Sequence, residues 1–137
     1  MYPSNWGPHS WIFLHTITFN YPINPSENEK INYKEFFNSL KNILPCPKCR
    51  IHYEKNIQKF PIKLNSRIDL IHWLIKIHNE VNKSLNKKIY SFEEIESIYQ
   101  SKFNYSIRKN EMIEPIISQK LLLFIIFILL IIIYLKY

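Results

Sequence analysis

Over roughly the first hundred positions, apolar residues recur at spacings of three and four, and they do not alternate with polar ones over the length of a strand. The pattern predicts helices with turns between them. A first helix opens near Asn5 or Pro8, where proline suits a first turn, and runs to Asn20 before Pro22 and Pro25 stop it. A second opens near Ser26, with Asn32 as a later alternative start, because "SENE" sets Glu29 where a capping box needs it. Its apolar positions Phe36, Phe37, Leu40, Ile43 and Leu44 keep helical spacing, and Pro45 ends it. A third begins at Cys46 or Pro47 and carries Cys49, Tyr53 and Ile57. Beyond Pro61, a fourth opens at Ser66, with Asp69 as a weaker box, and continues through "IDLIHWLIKIHNEVNKSL". Apolar residues lie on more than one of its sides, which makes it the central helix. Asn86 suits a left-handed turn after its end. Ser91 and Glu94 open a fifth helix that reaches about Lys102.

The expected fold class is therefore all-α: a compact bundle over residues 1–102, a linker over 103–115, and an apolar C-terminal segment over 116–136. Within that segment "LLLFIIFILLIIIYL" is apolar or Tyr at every position. Roughly 15 helical residues at about 1.5 Å rise cover about 22 Å, against roughly 30 Å of hydrocarbon. The run is short, but Ile116 and Ile117 extend it, and Lys120 and Lys136 can snorkel to the headgroups. A transmembrane anchor is the expectation. A buried core helix is the alternative, though such a helix rarely lacks a polar side.

Charge changes the picture little. The 137 residues carry a formal net charge of +7, but the lysines are scattered among acids (Lys55, Lys59, Lys63, Lys83, Lys87, Lys88). No basic block interleaved with aromatics points to nucleic acid. A basic domain ahead of an apolar tail does fit the positive-inside rule, which puts the domain on the cytosolic side.

The chemistry starts at "ILPCPKCRIHY", which holds Cys46 and Cys49, the only two cysteines. Prolines on both sides of Cys46 favour a helix start there. Free N–H groups and the dipole at a helix start favour thiolate, and Lys48 and Arg50 add positive charge. That points to a redox-active dithiol. A zinc site built on Cys46, Cys49 and His52 with His72 or His78 competes with it, without the second half such sites usually have. "CPKC" also resembles the glutaredoxin motif, but that fold needs βαβ units. A purely structural bridge would close a very short loop and stabilise little. A dithiol that turns over needs an electron acceptor, and with no further cysteine pair the acceptor is a cofactor or a partner.

Two further stretches offer a place for one. In "WGPHSWIFLH", Gly7, Trp11 and His15 share one helix face, with the only glycine of the chain a turn before a flat ring. In "HWLIKIHNEVN", His78 and Asn82 share a face, with Leu74 and Leu85 on the same stripe. Read alone, the first is better taken as core rings with a satisfied core histidine, and the second equally well as hydrogen-bonded core polar groups.

Taken in order, W-G-x-x-x-W-x-x-L-H, P-C-x-x-C and W-L-x-x-x-H-N-x-V-N-x-x-L-x-K resemble the Erv/ALR family of FAD-linked sulfhydryl oxidases, over roughly residues 3–99. The short chain and its excess of residues with AT-rich codons resemble the members carried by large cytoplasmic DNA viruses, mimivirus-like ones among them. The resemblance implies four helices cradling FAD with a fifth beside them. It implies Gly7, Trp11, His15, Trp73, His78, Asn79, Asn82, Lys87 and Tyr99 as cofactor-binding positions. It makes Cys49 the cysteine beside the flavin and Cys46 the one that meets substrate. The implied activity is a thiol oxidase that forms disulfides in a protein substrate and passes electrons to oxygen, giving hydrogen peroxide. A thioredoxin-like carrier as donor and a homodimer through the first helices follow from the same resemblance. Two departures stand out: "LNK" replaces L-G-K, and the family's additional cysteine pairs have no counterpart. A zinc-stabilised, membrane-tethered helical binding module is the alternative function.

Overall fold

The computed structural model describes residues 2–103, 121–128 and 131, and every regular element among them is helical. Five helices follow one another: α1 (Pro3–Phe19), α2 (Glu27–Ile43), α3 (Pro47–Lys59), α4 (Arg67–Ser84) and α5 (Phe92–Phe103). The chain forms two compact units, Met1–Ile98 and Tyr99–Tyr137, with the boundary inside α5.

Local chemistry sets most of the helix ends. At α2, Ser26 Oγ accepts from the Glu29 N–H at 3.3 Å, and the Ser26 N–H donates to Glu29 Oε2 at 2.8 Å. Both halves of the capping box are present, so two orphan donors are satisfied. Ser66 Oγ caps α4 by accepting from the Asp69 N–H, and Ser91 with Glu94 repeats the full box at α5. Asn86 adopts φ 53, and the Lys87 N–H turns back onto the Asn82 carbonyl at 2.8 Å. Asparagine thus does the work of the absent glycine.

Helix α1 differs from the expected start. Pro3 takes the first helical position, and Pro8 lies inside the helix. A proline at the first position has no needed N–H to lose. Pro8 removes the bond that would run to the Ser4 carbonyl, but both residues are exposed, so water can serve that carbonyl.

Helix α4 is central, as its apolar breadth predicts. Leu70, Ile71, Leu74 and Ile77 are fully covered, and Trp73 and Ile75 nearly so. Leu70, Trp73, Leu74 and Ile77 meet Leu14, Tyr21, Phe37, Leu40 and Tyr53 in one core cluster drawn from α1 to α4. Each such side chain contributes roughly 1.5–3 kcal/mol by leaving water. Two polar ties lock the layers: Tyr53 donates its hydroxyl to the Phe37 carbonyl at 2.9 Å, and Tyr21 donates to the Leu64 carbonyl at 2.9 Å. Ile43 departs from the expected stripe. It is the last residue of α2 and stays 65% exposed.

The apolar C-terminal segment is described only in part. Residues 121–128 are helical and exposed at every position. Among the described residues no helix is long and apolar enough to cross a membrane. The rest of the expected anchor, 116–120, 129–130 and 132–136, and residues 104–115 of the expected linker lie outside the described residues.

Candidate active site

Cys46 is the N-cap of α3, with extended backbone, and Pro47 opens the helix. The two cysteines are bridged, with Cα atoms 5.1 Å apart. The Cys49 N–H donates to Cys46 Sγ at 3.1 Å. A sulfur placed on a helix N-terminus and bonded by the amide of the third helical residue is stabilised as thiolate whenever the bridge opens. Arg50, directly after Cys49, reaches back and donates from Nη1 to the Asn42 carbonyl at 3.1 Å. That bond ties the end of α2 to the start of α3 and fixes the short connection carrying Cys46. Arg50 adds a cation to the carbonyl end of α2, where a positive charge is favourable.

A cluster of rings forms between α1 and α4. Trp11 stacks on His78 with centroids 3.9 Å apart and planes 9° apart. His15 Nε2 and His78 Nδ1 share a hydrogen bond of 3.1 Å. His15 is buried, and burial, helped by neighbouring His78, lowers its pKa from 6.5 to about 3. His78 falls to about 4, through burial first and the Lys87 charge second. Both imidazoles are therefore neutral at pH 7, so one donates to the other and their outer nitrogens keep opposite roles. The two stripes read separately in the sequence thus meet directly.

The remaining expected positions fall into distinct places. Gly7 lies in α1 with nothing within 4 Å of where a Cβ would stand. Asn82 is buried, and its Nδ2 has no acceptor among the described residues. Asn79 spends both ends of its amide on one residue: Nδ2 donates to the Tyr90 carbonyl at 2.8 Å, and Oδ1 accepts the Tyr90 N–H at 3.0 Å. It pins the α4–α5 connection at Tyr90. Trp73 belongs to the core, edge-on to Phe37 at 5.0 Å, with Nε1 donating to the Phe60 carbonyl at 2.9 Å. Lys87 is exposed. Tyr99 is buried and opens the second unit. For the zinc alternative, the two thiols are bonded to each other, and no group of three His, Cys, Asp or Glu residues suited to a metal occurs among the described residues.

The family profile of Erv1/Alr matches residues 8–101, spanning the cysteine pair, Trp11 and His15 of the first stripe, and the His78–Asn82 stripe. The chain belongs to the Erv1/Alr family. It is 45% identical over 102 residues to a probable FAD-linked sulfhydryl oxidase of Acanthamoeba polyphaga mimivirus, covering 72% of this chain and 71% of that protein. It is 36% identical over 96 residues to an FAD-linked sulfhydryl oxidase of African swine fever virus, covering 70% and 81%. Among solved structures, the FAD binding domain of Erv1 from Saccharomyces cerevisiae superposes with a TM-score of 0.70 at 32% identity, covering 74% of this chain and 96% of that one.

The donor set of this Erv1/Alr chain fits a flavin dinucleotide on its own chemistry. Open space at Gly7, a flat stack at Trp11 and His78, and the orphaned Asn82 Nδ2 suit a planar heterocycle that carries acceptors. Trp6 adds a buried Nε1 with no acceptor among the described residues. Neither Trp6 nor Tyr90 stood out in the sequence as a separate candidate. Adjacency to Gly7 was a signal for Trp6, whereas nothing local marks Tyr90. Arg50 was marked as a cation beside the cysteines, but its bond to Asn42 was not.

Proposed function

We propose that this chain is an FAD-linked sulfhydryl oxidase that makes disulfides in a protein substrate. The observation carrying this reading is the Cys46–Cys49 bridge on the α3 N-terminus, in the same bundle as the ring cluster of α1 and α4. The family membership and the relatives' names support it.

The chain's own part of the reaction is thiol–disulfide exchange. A substrate thiolate attacks Cys46 Sγ, the Cys46–Cys49 bond breaks, and Cys49 leaves as thiolate. A second substrate thiolate then attacks the substrate sulfur of the mixed disulfide, and Cys46 leaves as thiolate. Two electrons have moved from the substrate to the pair, and the two substrate protons pass to solvent or to the new thiols. Exchange is fastest when the leaving sulfur is a stable thiolate. The Cys49 N–H on Cys46 Sγ and the start of α3 provide that for the second step. When bound, FAD supplies the two-electron acceptor that re-oxidises Cys46 and Cys49 and passes the electrons to oxygen as hydrogen peroxide. Gly7, Trp11, His15, His78, Asn82 and Lys87 would hold it, with Asn79 and Trp73 shaping the wall. The neutral imidazoles keep their hydrogen-bonding edges without adding charge. Purified protein should consume oxygen when given dithiothreitol; a protein that takes up none would remove this reading.

Three finer statements belong to the same proposal. A thioredoxin-like carrier delivers the dithiol directly to Cys46, since the chain holds no second cysteine pair to relay it. Residues 116–136 anchor the chain with the bundle on the cytosolic side; flotation with liposomes, lost when those residues are deleted, tests the anchor, and protease protection tests the side. Pairing of two copies through the first helices is supported by the exposure of Phe13 (59%) and Ile31 (53%), and sedimentation decides it.

A further inference from the structure

The disulfide sits on an exposed corner with a definite surface chemistry. Ile43 is 65% exposed and Ile51 is 55% exposed, and Pro45, Pro47 and Lys48 between them are exposed too. Ile71 and Ile77 of α4 are fully covered, while Ile31 and Ile89 are also exposed, away from the cysteine pair in sequence. An isoleucine left in water forgoes roughly 2 kcal/mol relative to burial. The Arg50–Asn42 hydrogen bond joins the end of α2, where Ile43 follows Asn42, to the first turns of α3, where Ile51 follows Arg50. Ile43 and Ile51 flank the connection that presents Cys46.

Along residues 36–53 the charge has one sign. From Phe36 to Tyr53 there is no carboxylate, while Lys41, Lys48 and Arg50 are cationic. Lys41 is matched by Glu54 at 3.7 Å. Lys48 has no carboxylate within ion-pair distance among the described residues. Arg50 gives one nitrogen to a neutral carbonyl and has no carboxylate within ion-pair distance among the described residues.

We propose that this corner docks a substrate segment whose cysteine pair is flanked by an apolar side chain and by aspartate or glutamate. The apolar side chain covers Ile43 and Ile51, and the carboxylates pair with Lys48 and Arg50. The docked segment then presents its thiolate to Cys46. The inference rests on the thiol-oxidase reading and adds what that reading lacks, the chemical class of the segment recognised. The exchange is the one balanced above, with the segment's dithiol oxidised and the Cys46–Cys49 pair reduced. Opposite charge near a docking point mainly speeds encounter and discriminates among partners, and salt weakens it.

Two reduced peptides test it on the full chain. They share a Cys-X-X-Cys core preceded by leucine; one is flanked by aspartates, the other by lysines. Oxygen uptake should favour the aspartate peptide by about fivefold or more in kcat/KM, with the preference fading at roughly 0.5 M salt. Ile43→Ser and Ile51→Ser should raise KM for the aspartate peptide while oxidation of dithiothreitol stays as in the parent. Lys48→Glu should reverse the ranking of the two peptides. Equal rates for both peptides, with dithiothreitol oxidised normally, overturn the docking proposal alone. So does an outcome in which the isoleucine variants split a dimer in sedimentation but leave peptide kinetics unchanged, which would make the corner an interface between copies. Failure to oxidise dithiothreitol overturns the thiol-oxidase reading, and the docking proposal with it.

Discussion

His15 and His78, from opposite ends of the bundle sequence, share one hydrogen bond of 3.1 Å, and Trp11 lies flat on the second of them. This joins α1 to α4 at the place where the two stripes proposed to hold the cofactor meet. Removing the ring that covers the pair should therefore be felt in two readouts. Trp11→Ala is expected to lower the flavin-to-protein absorbance ratio of purified protein. It should also lower stability by about 2 kcal/mol, since a large half-buried ring is lost. Full flavin retention in a folded variant would remove Trp11 from the cofactor wall.

Acid should weaken the fold through the same pair. Both histidines have folded pKa values below the ordinary 6.5, at about 3 and about 4. The unfolded chain thus binds more protons than the folded one below pH 6.5. The stability contribution is complete above that value and is lost as pH falls toward the folded pKa values. At about pH 5.5, each histidine should cost roughly 1 kcal/mol relative to neutral pH. Glu29 and Glu94, held below the ordinary 4.5 by their caps and hydrogen bonds, act only at lower pH. Thermal melts at several pH values between about 7.5 and 5.5 should show a falling Tm; a flat profile over that range contradicts the buried neutral pair.

The capping signals were the most legible part of the fold. Ser26–Glu29, Ser66–Asp69 and Ser91–Glu94 each mark a helix start that the structure has, because a cap is a local event between residues three apart. Asn86 was legible for the same reason, as a single-residue backbone preference. Pro8 misled because Pro3 was equally able to open α1, and an exposed interior proline costs less than a buried one. Ile43 kept helical spacing but sits at a helix end, where no neighbouring element covers it. In the site, the stripes Gly7-Trp11-His15 and His78-Asn82 were readable as faces. Their joining was not, because periodicity says which side a residue faces and not what faces it. Asn79 shows the same limit: its partner Tyr90 lies beyond the helix end, in a connection with no periodic signal.

Asn79→Ala should release that connection. Two hydrogen bonds to the Tyr90 backbone are lost, at roughly 1 kcal/mol each. For a domain of this size the expected drop in Tm is on the order of 10 °C. Hydrogen exchange should localise the opening to residues 85–91. Unchanged protection there would show that the amide does not pin the turn.

The two cysteines should separate by function. Cys46→Ser is expected to keep bound flavin but lose turnover of a protein dithiol by about a hundredfold or more, since the attacked sulfur is gone. Cys49→Ser should retain flavin as well, and when it is given a disulfide-oxidised substrate peptide its free Cys46 thiolate should attack that disulfide, forming a mixed disulfide at Cys46 and releasing one peptide thiol, detectable by mass. A Cys46→Ser protein that oxidises a protein dithiol normally would exchange the two roles.

The central claim, that this bundle couples a cysteine pair to a bound flavin, is tested most directly by the visible spectrum of the purified protein with and without thiol. The account predicts a yellow protein whose flavin absorbance bleaches when dithiothreitol is added without oxygen and returns on exposure to air. A colourless protein, or a flavin absorbance that thiol leaves unchanged, would contradict it.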